Sequence, residues 1–168
     1  MLPEYLEGYE GYIQTDGYCG YYVLETKEGI ILLACWAHAR RKFDEVIKAA
    51  KKDKSNKTGK AGEAIALIKK LYAVEKICKL QNFTPDQIRE ERQKHSKPVL
   101  DEFKKWLDKT FPTTPPKGLL GKAIAYSLNN WTRLIRYVDN GYLTIDNNMI
   151  ENAIRPFVIG RKKCLYVL

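Results

Sequence analysis

The sequence predicts a predominantly helical α/β fold, and three observations carry that expectation. Two β-type stretches, Gly11 to Asp16 and Ile30 to Cys35, stand near the N-terminus, whereas from Trp36 onward apolar residues recur mainly at helical spacing. The chain has 168 residues and is 45% apolar, which suits one compact domain, with room for a subdomain, and supplies a real core.

In the first stretch Tyr12, Gln14 and Asp16 alternate with Ile13 and Thr15, the period of a strand, in residue types that favour one. Gly17 supplies a sharp turn after it. Asp16-Gly17 is a common hairpin pair, so Asp16 can simply shape a turn; an acid at the carboxyl end of a strand is equally where α/β proteins place chemistry. Tyr18 to Leu24 fits either a short helix or a second tyrosine-rich strand. Gly29 punctuates, and the unbroken apolar run Ile30 to Cys35 predicts a central strand covered on both faces.

A helix should follow, with Trp36, Ala39, Phe43, Val46, Ile47 and Ala50 on its apolar stripe and Arg40, Arg41 and Lys42 largely on other faces. His38 lies between the strand and this basic cluster. No second metal-type residue neighbours it, so spacing gives it no catalytic role. Lys48 to Lys60, rich in lysine and poor in apolar residues, reads as a solvated connection or frayed helix end.

Helical period resumes from Ala61 to Leu80. Thr84-Pro85-Asp86-Gln87 is a helix start signal, with Thr84 as N-cap, Pro85 in the first turn and Gln87 closing a capping box. Ile88, Arg92 and His95 share a face of that helix. Pro98 should break or kink it before Val99, Leu100, Phe103, Trp106 and Leu107 continue the stripe. Thr110 to Gly118, with three prolines, is a loop. Leu119 to Val138 forms one strong helical stripe, which Asn140-Gly141 should close, and Leu143 to Ile145 is an extended link.

The final segment opens with Asp146-Asn147-Asn148, any of which can cap a helix carrying Glu151, and Pro156 should end or kink that helix. Glu151 and Arg155 are four apart and can simply pair on one face. The sharper reading joins an acid that holds a metal to cations that hold phosphates, Arg155, Arg161 and Lys162.

Composition narrows the function classes. Lys and Arg number 29 against 20 Asp and Glu, giving a net charge of +9 and favouring a polyanionic partner. No apolar run approaches the ~20 residues that span a bilayer, and the N-terminus lacks the basic and apolar regions of a signal peptide, so a cytoplasmic protein without a membrane partner is expected. Cys19, Cys35, Cys78 and Cys164 form no CxxC pair, which argues for reduced core residues over a zinc site or disulfide framework.

Four motifs in order, Ile13-Gln14-Thr15-Asp16-Gly17-Tyr18, Cys35 to Phe43 (CWAHARRKF), Gly121-Lys122-Ala123-Ile124, and Asp146-Asn147-Asn148 through Lys162, resemble the transposases of the insertion-sequence sixty-six family. The resemblance runs through essentially the whole chain. It implies the DDE class, a partial ribonuclease-H-like core with a long α-helical insertion, and Asp16 and Glu151 as the second and third acids of the triad. The divisions that follow are 1–50, the second part of the core; 51–142, the helical insertion; and 143–168, the C-terminal core helix with its basic tail. In the family the first aspartate lies upstream of the region matching Met1, so the chain alone is expected to be catalytically incomplete.

The implied activity is metal-dependent cleavage and strand transfer of double-stranded DNA, at the element ends and target. Asp16 and Glu151 would hold Mg²⁺ or Mn²⁺; Arg155, Arg161, Lys162, Arg40, Arg41 and Lys42 would hold DNA phosphates. A homo-oligomer associated with the bacterial nucleoid is the expected setting. The alternative is a non-enzymatic basic DNA-binding or regulatory remnant of such an enzyme.

Overall fold

A computed structural model describes residues 6, 8–17, 19–52 and 59–148. Two strands, β1 (Gly11–Thr15) and β2 (Ile30–Ala34), pair in parallel with Tyr12 opposite Ile31 and Gln14 opposite Leu33. Parallel pairing excludes a two-residue hairpin at Asp16-Gly17, because the chain must return to the starting end of the sheet. It does so through a 3-10 helix, Cys19–Thr26, which settles the open choice for this stretch. Leu24 of that helix packs with Ile30, Leu32, Ile13 and Leu6 on one sheet face.

Helices α1 (Trp36–Lys52), α2 (Gly59–Leu80), α3 (Pro85–Glu91), α4 (Lys97–Thr110), α5 (Leu119–Asn129) and α6 (Trp131–Ile135) build the rest. Leu33, Trp36, Phe43, Ile68, Leu71, Phe103, Leu107, Ile124 and Leu134 share one core, so the helical middle packs directly on β2 and α1. Trp36 is fully buried, and its indole N–H donates to the Leu134 carbonyl at 2.8 Å, satisfying the one polar group this side chain takes out of water. Phe103 meets Trp36, Phe43, Trp106 and Trp131 with ring centroids 5.8–6.1 Å apart.

The capping box at α3 forms as its sequence dictates: the Thr84 amide donates to Gln87 Oε1 and the Gln87 amide to Thr84 Oγ1. Between α3 and α4 runs a π-helical turn, Arg92–Ser96, in which the Lys97 amide reaches back to the Arg92 carbonyl. The wider turn lets the chain pass Pro98 without ending the helical path.

Three expectations are corrected. The stretch from Leu119 to Val138 is not one helix: it divides at Asn130 into α5, α6 and a 3-10 turn, Arg136–Asp139. Asn130 is buried, and its side-chain amide donates to the Tyr126 carbonyl while its Oδ1 accepts the Tyr22 hydroxyl. An asparagine side chain competing for the backbone acceptor four residues back is a known way to interrupt a helix.

The expected cap at Asn140-Gly141 is also absent, since Asn140 is extended (φ −142°, ψ 123°). Gly141 serves a different purpose there. A Cβ at this position would overlap the Pro85 carbonyl, so glycine permits the close approach of the chain to the start of α3.

Finally, β2 is not a strand covered on both faces along its length. Ile31 is 38% exposed and stands beside Tyr12, 39% exposed. Ile31 borders a polar cleft with Glu25, Thr132, Arg133 and Arg136, side chains that keep water at this end of the face.

Candidate functional site

The carboxyl ends of β1 and β2 are held together by the Cys35 amide, which donates to the Thr15 carbonyl at 3.1 Å. Asp16 follows immediately, exposed, and the chain then turns through Gly17 at φ +81°. The turn is clamped from several sides. The Gly17 amide donates to Thr15 Oγ1 at 3.3 Å, and the Tyr126 hydroxyl of α5 donates to the Asp16 carbonyl at 2.5 Å. A Cβ on residue 17 would stand 2.6 Å from that hydroxyl, so both conformation and space demand glycine.

A cleft of about 550 Å³ opens over this turn, lined among others by Asp16, His38, Arg41, Lys42, Glu45 and Tyr126. Helix α1 leaves the end of β2 so that Arg41 and Lys42, one turn inside it, line this cleft beside the Asp16 turn. Lys42 places its ammonium 4.7 Å from the centre of the Tyr126 ring. Burial, followed by the nearby Cys35 and Asp16, pushes the Tyr126 phenol upward, so it remains a hydrogen-bond donor at neutral pH.

Arg40 goes to the other side of α1. Its guanidinium lies 6.0 Å from the centre of the Tyr72 ring, and Nε is 3.5 Å from Asp44. Tyr72, on α2, donates its hydroxyl to Asp146 Oδ2 at 2.8 Å. Burial first, then Asp146, raises the Tyr72 phenol as well. Asp146 Oδ1 accepts the Asn148 amide at 3.1 Å and its Oδ2 the Asn148 side chain at 3.0 Å, while the helix expected to follow lies outside the described residues.

The segment that reaches Asn148 is anchored to the same sheet end. Gln14 donates to the Thr144 carbonyl at 3.1 Å, across 130 positions of sequence, and the Trp36 amide donates to the Ile145 carbonyl. The Cys35 thiol, fully buried between these two approaches, is pushed upward by burial and stays a neutral core group. Cys78 is also free and buried.

Of the residues singled out from sequence, Asp16, Arg41 and Lys42 come together in one cleft, and Arg40 is turned away from it. Glu151, Arg155, Arg161 and Lys162 lie outside the described residues. Sequence reasoning passed over Glu45, Tyr126 and Asn130, and gave His38 no role. Glu45 and His38 are on the α1 turns that carry Arg41 and Lys42, so helical periodicity could have grouped them; no local signal marks Tyr126 or Asn130.

Asp16 and Glu45, two of the residues lining the cleft, are carboxylates, the donor type that Mg²⁺ and Mn²⁺ prefer. Among the described residues no three His, Cys, Asp or Glu side chains are grouped as metal ligands, and no helix is long and apolar enough to cross a membrane.

A family model described as the transposase IS66 family matches residues 2–167. Two similar proteins of Sinorhizobium fredii (strain NBRC 101917 / NGR234) are named uncharacterized protein y4jD and uncharacterized protein y4hP. The first is 31% identical over 170 residues, covering 96% of this chain and 31% of the relative. The second is 31% identical over 169 residues, covering 95% of this chain and 30% of the relative. The chain thus spans about a third of the length of the curated relatives it matches. No solved structure matches it.

Proposed function

This chain belongs to the transposase IS66 family, and from that membership we propose that it forms part of a DDE transposase that cleaves and joins double-stranded DNA. The observation that carries the reading is the cleft lined by Asp16, at the carboxyl end of a parallel strand pair, together with Arg41 and Lys42. An acid beside two cations is the arrangement that lets a phosphate approach a carboxylate without net repulsion.

Arg41 and Lys42 hold the phosphate backbone, which orients DNA without reading its sequence. Asp16, at the end of β1, and Glu151 are the two residues that supply hard oxygen ligands. Glu151 follows Asn148 by three positions, a reach of at most about 11 Å, and Asn148 is tied through Asp146 to the same sheet end. Asp16 and Glu151 would hold Mg²⁺ or Mn²⁺, which would supply water activation and charge neutralisation at the leaving oxygen. The first acid, which the resemblance sets upstream of the region matching Met1, completes the triad. Arg155, Arg161 and Lys162 extend the phosphate track, residues 51–142 form the insertion packed on the partial ribonuclease-H-like core, and copies of the protein pair on DNA.

Fluorescence anisotropy with a duplex across a salt series tests the cleft. Changing Arg41 and Lys42 together to Ala should lower the slope of log K against log salt by about 0.9 for each phosphate that is no longer neutralised by a side chain. Mn²⁺ at constant ionic strength should tighten binding by the wild-type chain, and Asp16→Asn should remove that response. An unchanged slope together with an unchanged Mn²⁺ response would refute the assignment.

A further inference from the structure

We infer that two tyrosine hydroxyls from the helical middle, Tyr126 and Tyr72, position the Asp16–Gly17 turn and the Asp146–Asn148 turn that precedes Glu151 in sequence. The inference rests on the reading of Asp16 and Glu151 given above. It assigns to residues 51–142 a task beyond covering the sheet.

The two contacts have the same design. Tyr126 of α5 donates to the Asp16 carbonyl at 2.5 Å, and Tyr72 of α2 donates to Asp146 Oδ2 at 2.8 Å. Both rings lie beside a cation of α1, Lys42 for Tyr126 and Arg40 for Tyr72. Local sequence alone leaves the Asp16–Gly17 turn free to vary. Asp16-Gly17 follows a short strand, and Gly17 is the most permissive residue the turn could contain.

A hydroxyl directed at the Asp16 carbonyl removes that freedom. It binds the peptide unit that leaves Asp16 and fills the space a side chain at 17 would take. Asp146 is fixed in the same way. With Tyr72 on its Oδ2, the carboxylate presents Oδ1 to the Asn148 amide, and Glu151 comes three positions later. Donors from two separate helices therefore add to the Gln14–Thr144 and Trp36–Ile145 bonds in setting where the two turns stand relative to each other. Lys42 is connected to the same element, since the ring it lies over is the ring that holds Asp16. A catalytic constellation must be held within roughly 0.5 Å by supports of this kind.

The test uses Tyr126→Phe and Tyr72→Phe, which keep the packed rings and delete only the hydroxyls. Amide hydrogen exchange is followed residue by residue, and duplex binding is measured with and without Mn²⁺. Tyr126→Phe should speed exchange at Gly17 about two- to tenfold, the effect of removing one hydrogen bond, and Tyr72→Phe should do so at Asn148. Interior amides of α2 and α5 should keep their relative protection, and the Mn²⁺ response should weaken in both variants. A purely structural role would instead raise exchange across the whole core. Uniform acceleration, or none at either turn, would overturn the inference. Its failure is separable from failure of the site, because a wild-type chain with no Mn²⁺ response would refute the site whatever the exchange shows.

Discussion

Replacing Arg92 by Ala should destabilise the protein by about 3–5 kcal/mol, the usual cost of removing one partner from a buried ion pair. Arg92 is 2% exposed, and all five of its N–H donors are used. Nε and one terminal nitrogen grip the Glu75 carboxylate at 2.8 and 2.6 Å. The remaining donors reach the carbonyls of Tyr137, Asn140 and Leu143 at 2.8, 3.0 and 2.9 Å. Five charge-assisted bonds at about 1.5–3 kcal/mol each would sum to far more, but bonds sharing one guanidinium are not independent, so the single-partner figure governs. At about 2–4 °C per kcal/mol for a chain of this size, Tm should fall by about 6–20 °C. Arg92→Lys should recover only part of the loss, because an ammonium cannot form the two-pronged contact with Glu75 and also reach three carbonyls. Circular dichroism during heating and urea unfolding gives both quantities. A loss below about 1 kcal/mol for Arg92→Ala would refute the reasoning. The consequence extends to the site, since the carbonyls of Asn140 and Leu143 belong to the link that delivers Thr144 to Asn148.

Three further outcomes are expected. Gly62→Ala, inside α2 with open space around its added Cβ, should raise stability by about 0.5–1 kcal/mol in urea unfolding, whereas Gly141→Ala should lower it by about 1–3 kcal/mol by pushing on the Pro85 carbonyl. Gly17→Ala should cost about 1–3 kcal/mol through its positive φ and the Tyr126 hydroxyl, and suppressor changes at Tyr126 that relieve the overlap should recover part of it. The hydrogen bond from Arg133, aided by the charges of Arg133 and Arg136, holds the Glu25 carboxyl below its ordinary 4.5 against an opposing effect of burial. Its folded value is depressed, so its stabilising contribution is present above pH 4.5 and lost as pH falls through the folded value; Glu25→Gln should flatten that part of the Tm–pH profile.

What the sequence determined by itself is what neighbouring residues decide. The capping box from Thr84 to Gln87 and the apolar stripe of α1 depend on contacts within one or two helical turns, and both form in the structure. The placement of Asp16 just past a strand is local too, and so is the family resemblance, which is carried by short ordered motifs. Only the tertiary structure decided how these pieces meet. The parallel pairing of β1 with β2, the Tyr22 hydroxyl on Asn130, the five-bond role of Arg92 and the hydroxyls on Asp16 and Asp146 join residues between 17 and 110 positions apart. The physical reason is that a side chain's periodic position gives its face and not its partner. Arg40, Arg41 and Lys42 are consecutive cations, yet rotation by about 100° per residue sends Arg40 to Tyr72 while Arg41 and Lys42 line the Asp16 cleft. Buried polar groups such as Arg92 are the least legible of all, because they are stable only where a complete set of acceptors has been assembled by the fold.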